Sequence, residues 1–178
     1  VEGIQMLKFG EYVHSLLMPS NLNVIRIKPL RGSALLVCNP KLVFSLVDCF
    51  FGGDGRFHTK IEGRDFTPTE HRIILRLLEV AFAQYHKAWS GIYPLELEYQ
   101  RSEMQPQFAN VASPSEMVVT TSFMLEIGDS SGTVNMCFPY STLEPIRDVL
   151  YSAMQGDAEP DRRWIKLLRT QIQSADVP

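Results

Sequence analysis

The chain has 178 residues, 45% apolar and 21% charged, with a formal net charge of -3. That length fits one domain with a sizeable core. The composition excludes a disordered chain, and the charge gives no basic field for nucleic acid. No apolar run reaches the roughly 20 residues of a membrane span, and no signal peptide is visible. Cys38, Cys49 and Cys137 are an odd number, each inside an apolar stretch, and read as reduced core thiols. His14, His58, His71 and His86 are scattered without ligand spacing, so no metal or other cofactor is expected.

In chain order, residues 1–19 read as a lead-in to the first recognisable unit. That unit, Asn23 to Cys38, predicts a strand, a turn and a second strand, with Pro29 as turn chemistry. Asn39 then caps a helix and Pro40 is its first residue, with Leu42, Val43, Leu46, Val47 and Phe50 at helical spacing. The longest helix follows. Thr67 and Glu70 form a capping box with Pro68 between them, and Ile73, Ile74, Leu77, Leu78, Ala81, Phe82, Tyr85 and Trp89 make the apolar stripe. Arg72, Arg76, Glu79 and Lys87 take the opposite face, a surface for a neighbouring molecule or simply a solvated one. Gly91 and Pro94 end this helix, and strands are expected over 95–101 and 116–127.

A second hairpin and helix then repeat the first at a constant offset of 100: Phe123 to Phe138 matches Asn23 to Cys38. Ile25 and Ile27 correspond to Leu125 and Ile127, and Gly32 to Gly132, a turn position that uses a free φ. Asp129, Ser130 and Ser131 read as turn residues, and Ser141 with Glu144 as a second capping box. Val43, Leu46 and Phe50 fall on Leu143, Ile146 and Leu150, which favours duplication over chance likeness. Antiparallel hairpins with apolar-striped helices predict a layered α/β domain over 20–155, with internal pseudo-two-fold symmetry and a mostly antiparallel sheet. Residues 156–178 read as a linker followed by a short basic amphipathic piece from Arg162 to Ile172.

The copies differ at one place. After the first helix comes Phe50-Phe51-Gly52-Gly53-Asp54-Gly55-Arg56-Phe57, whereas the second copy has no glycine between Leu150 and Gln155. One glycine would suffice to end a helix. Three in four residues also suit a bare-backbone surface that a partner can approach closely. A dinucleotide fingerprint and a P-loop both fail here, because the segment follows a helix and lacks their later residues.

The string Phe50 to Phe57, with Ile61 to Arg64, Phe66 and Thr67, resembles the FliM middle domain, as do Pro19 to Asn23, Lys28 to Gly32 and Tyr99 to Met104. The resemblance covers about residues 20–155. It implies the CheC-like α/β/α sandwich shared with the CheC and CheX phosphatases, and a non-enzymatic part in the cytoplasmic ring of the flagellar motor switch. It implies that Gly52, Gly53, Asp54 and Gly55 contact FliG, with Arg56 and Phe57 as an extension of that site. It implies that neighbouring FliM copies pack side by side, for which Arg72, Arg76, Glu79 and Lys87 are the candidate face. The capture of phosphorylated CheY and the FliN-like C-terminal domain, to which 156–178 would lead, belong to regions mostly outside this chain. The implied location is the cytoplasmic face of the inner membrane, and the implied role is to couple the chemotaxis signal to the direction of rotation. The alternative is a CheC-type phosphatase acting on phosphorylated CheY. Those relatives use a Glu-x-x-Asn pair one helical turn apart to orient water. No such pair occurs here: Glu70 is followed by Ile73, Glu79 by Phe82 and Glu144 by Arg147.

Overall fold

The computed structural model describes residues 1–17, 20–55, 66–128 and 130–157. Among these residues six strands form one antiparallel sheet: β1 (Gly3–Lys8), β2 (Asn21–Lys28), β3 (Ser33–Cys38), β4 (Glu96–Glu103), β5 (Met117–Ile127) and β6 (Ser130–Pro139). Their order across the sheet is β1-β5-β6-β3-β2-β4. The helices are α1 (Phe9–Ser15), α2 (Pro40–Phe50), α3 (Pro68–Trp89), α4 (Tyr140–Leu143) and α5 (Arg147–Asp157).

The duplication is visible in the register. β3 and β6 are adjacent at the centre, and Leu36 pairs with Met136, a residue and its own copy. A pseudo-two-fold axis therefore passes through that pair. It exchanges β3 with β6, β2 with β5, and the edge strand β4 with the edge strand β1. α2 and α3 cover one face, over Ile25, Ile27, Leu36, Val134, Met136 and Phe138. α1 and the residues around Ala109 cover the other, over Val24, Leu35, Val37, Val118 and Cys137. Fully buried Leu42 and Ile74 anchor the two large helices, each such side chain contributing about 1.5–3 kcal/mol. The expected α/β/α sandwich is thus the one observed.

Several local expectations need correction. The offset of 100 does not hold through the hairpins: Ala34 pairs with Ile25, but its copy Val134 pairs with Phe123, so β5 sits two residues out of step. A two-residue slip keeps every side chain on its face, which is why the apolar pattern conceals it. The second turn is tighter, with Ile127 pairing Ser130. Ser130 and Ser131 are therefore strand residues, and Asp129 lies outside the described residues.

Gly132 is not a turn residue either. It lies within β6, where an added Cβ would come 2.5 Å from Leu42 Cβ at the start of α2. Gly32 does the matching job in the other half, its missing Cβ leaving room for Thr142 of α4. Each hairpin glycine thus seats the helix of the opposite copy, and the halves interlock.

Asn39 and Pro40 start α2 as expected, the Asn39 side chain accepting from Lys41 N–H at 2.8 Å. The Thr67–Glu70 capping box also forms, with Thr67 N–H donating to Glu70 Oε2 at 2.7 Å. The second capping box does not. α4 begins at Tyr140, and the Ser141 hydroxyl instead donates to Glu116 Oε1 at 2.6 Å. Pro145, lacking an N–H, splits the second helix with a 3-10 turn over Glu144–Ile146. Residues 1–17 are more than a lead-in. β1 pairs with β5 from Gly3 to Lys8, and Phe9 and Tyr12 are buried against the second face. Alternation along β1 is too weak to reveal an edge strand with one neighbour.

Candidate binding loop

The glycine-dense segment begins where α2 runs out of hydrogen-bonding partners. Phe51 N–H still donates to Val47 O and Asp48 O, and Gly52 N–H donates to Cys49 O at 3.1 Å. Gly52 then turns the chain with φ +89, the left-handed conformation in which glycine commonly closes a helix. Gly53 N–H returns to Asp48 O at 2.9 Å. Gly55 N–H donates to the Asp48 carboxylate, also at 2.9 Å. Asp48 therefore ties down both ends of the turn, one with its main chain and one with its side chain.

The glycines have separate structural causes. An added Cβ at Gly52 would meet nothing within 4 Å, so that side of the loop is open. At Gly53 it would strike the Asp48 carboxylate. Gly55 has φ +78 and is buried, its Cβ position 3.3 Å from Ile127 O on the second hairpin. The alternative that a glycine merely ends the helix holds for the conformation of Gly52 and for neither of the others.

Gly52, Gly53 and Asp54 are exposed. Beside them Phe50 and Phe51 are 68% and 69% exposed and meet edge to face at 5.8 Å. Beneath, the Ser45 and Ser130 hydroxyls join α2 to β6 at 2.8 Å, and the Gly128 Cβ position is 3.3 Å from Asp54 O. The loop of one half is thus seated on the hairpin turn of the other and presents backbone between an aromatic pair and solvent. Arg56 and Phe57 lie outside the described residues.

Arg72, Arg76, Glu79 and Lys87 are all exposed, and Arg76 pairs with Glu79 at 2.8 Å along the same helix. Glu70, the one buried acid of α3, caps its own helix while Ile73 is buried in the core, so the pair cannot hold a water for phosphate removal. Among the described residues no three His, Cys, Asp or Glu converge as metal ligands. A cavity of about 400 Å³ opens between α3 and the sheet, lined by apolar residues such as Leu77, Ala81, Phe123 and Leu125. Among the described residues that line it, Tyr85 is the only titratable group, pushed up to about 12 by burial, and none forms an acid–base pair.

Sequence reasoning missed Asp48. Its signal was a carboxylate in the last turn of a helix, where the dipole disfavours negative charge, directly ahead of the glycines.

A family model described as flagellar motor switch protein FliM matches residues 1–155. The flagellar motor switch protein FliM of Pseudomonas aeruginosa is 50% identical over 179 residues, covering 100% of this chain and 55% of that protein. The chain thus spans about half the length of the curated relatives it matches. The crystal structure of the FliM middle domain from Vibrio alginolyticus is 44% identical with a TM-score of 0.74, covering 83% of this chain and 82% of that one. A FliG–FliM complex from H. pylori has the same fold, with a TM-score of 0.76 at 24% identity over 82% of this chain and 79% of that one.

Proposed function

The chain belongs to the FliM family of flagellar motor switch proteins, and from that premise we propose that it is a non-enzymatic switch component that binds FliG through the loop from Gly52 to Gly55. The observation that carries this is the exposed backbone of Gly52 and Gly53, with exposed Asp54 beside it, held on a seat built from both halves and flanked by Phe50 and Phe51. Aromatic side chains beside open backbone offer a partner both apolar anchors and unshielded main-chain groups. A chain of this fold from H. pylori forms a complex with FliG, which supports the choice of partner. Arg56 and Phe57 extend the same contact.

Side-by-side packing of copies is assigned to the α3 face carrying Arg72, Arg76, Glu79 and Lys87, which is polar and exposed. Coupling to phosphorylated CheY and to FliN runs through parts of the full-length protein mostly outside this chain. Such coupling works only if CheY binds one ring state more tightly than the other. The location that goes with this role is beside the flagellar motor, at the cytoplasmic face of the inner membrane. No helix among the described residues is long and apolar enough to cross a membrane.

Calorimetric titration with the FliG middle domain tests the loop. Gly52→Asn is the informative variant: Asn tolerates the left-handed backbone, and a Cβ there meets nothing within 4 Å. Affinity is expected to fall at least about tenfold. Unchanged affinity would remove the loop from the interface.

A further inference from the structure

We propose that Asp48 is a positioning residue that holds the glycine loop in its partner-binding form; the proposal rests on the loop reading above. Gly52 and Gly53 carry no side chains, and glycine has the largest conformational freedom to lose on ordering. Asp48 removes that freedom at two points, through Gly53 N–H to its carbonyl and Gly55 N–H to its carboxylate, both at 2.9 Å.

The position is electrostatically unfavourable for a carboxylate, since α2 presents the negative end of its dipole there and its last turn has no basic residue. The Gly55 amide offsets this with a charge-assisted hydrogen bond. The absent side chain of Gly53 is part of the same device, because a Cβ would displace the carboxylate that it closely approaches. Substitution at Gly53 thus disturbs Asp48 before it touches any partner. A binding defect caused by a bulky residue at Gly53 is by itself ambiguous between contact and positioning, whereas at Gly52 the space is open and Asn, which tolerates a positive φ, is the variant that isolates contact.

If only the stapled loop binds, the apparent dissociation constant rises by the factor by which the stapled population falls. Loss of one amide–carboxylate bond at a half-buried site is expected to weaken FliG binding by up to about tenfold, the limit reached when the loop without that bond is mostly unstapled. Asp48→Asn retains an acceptor oxygen and should stay within about threefold of wild type. Gly53→Ala should behave like Asp48→Ala, and the double variant should be little worse than either, because both break one contact.

The experiment measures, for the 178-residue chain and these variants, affinity for the FliG middle domain together with amide exchange at Gly55. Support is a linked change: across Asp48→Asn, Gly53→Ala and Asp48→Ala the dissociation constant rises in inverse proportion to the stapled fraction read from Gly55 exchange. Should Asp48→Ala not fold, Asp48→Glu takes its place; it keeps the charge but moves the acceptor, and weakened binding with a native fold supports the proposal. The proposal is overturned if Gly55 in Asp48→Ala and Gly53→Ala exchanges as an open amide, the stapled state emptied, while affinity stays at wild type and Gly52→Asn still weakens binding. If Gly52→Asn and the Asp48 variants all bind normally, the loop reading itself has failed, and the positioning role with it.

Discussion

Replacing Gly132 by alanine tests the interlock that carries the loop. Gly132 lies inside β6 opposite Leu125, with no positive φ, so alanine adopts its backbone freely. The difficulty is space. The new Cβ would lie 2.5 Å from Leu42 Cβ, 2.8 Å from its Cα and 3.0 Å from its N. Two of those are main-chain atoms in the first turn of α2, so no rotamer relieves the clash, and the helix has to move off the sheet. Overpacking of this kind costs about 1–3 kcal/mol. The stiffer unfolded chain returns about 0.4–1 kcal/mol. Because backbone is struck, the upper part of the range applies, and the net loss is about 2 kcal/mol. A domain of this size then melts about 4–8 °C lower. Urea unfolding followed by circular dichroism measures the change, with Gly91→Ala as the control, since a Cβ there meets nothing within 4 Å. Leu42→Ala should not rescue the variant, because it keeps the offending Cβ. Gly132→Ala at or above wild-type stability would refute the seat.

Other outcomes follow from single contacts. Thr67→Ala removes the acceptor for Glu70 N–H and should cost about 1 kcal/mol, read from urea unfolding. Burial pushes the Cys38 and Cys137 thiols up to about 12. Near pH 8 both should therefore resist iodoacetamide, which needs the thiolate, while half-buried Cys49 is alkylated first, as mass spectrometry would resolve. Arg76→Ala breaks only an exposed pair with Glu79 and should shift stability by less than about 0.5 kcal/mol; a larger loss would mean that this face is packed against something.

The features legible in the sequence were those fixed by neighbours in the chain. Asn39 ahead of Pro40, and Thr67 ahead of Glu70, start their helices because a cap needs only residues within one turn. The duplication was legible because both copies build the same hairpin and helix, and the sheet pairs Leu36 with its own copy Met136. What escaped depends on distant groups. The two-residue slip of β5 leaves the apolar alternation unchanged, so only the strand pairing reveals it. Gly132 resembles a turn glycine until α2 is known to cross it. Ser141 has the pattern of a cap, but its hydroxyl is taken by Glu116, 25 residues earlier in the chain, and Pro145 breaks the helix it would have opened.

The loop illustrates both halves of that division. Its glycines stood out in the sequence because the second copy lacks them. Their separate tasks did not, since one faces open space, one faces the carboxylate of Asp48 and one packs on the other half. Asp48 itself, the residue joined to both ends of the turn, is an unremarked acid in a helix until the distances are known.

Hydrogen exchange of the chain, alone and saturated with the FliG middle domain, bears most directly on the role given to the loop. New protection is expected to concentrate at residues 50–55, with α1 and the sheet face beneath it exchanging as in the free chain. Protection confined to other surfaces, with the amides of 50–55 exchanging as before, would contradict the assignment.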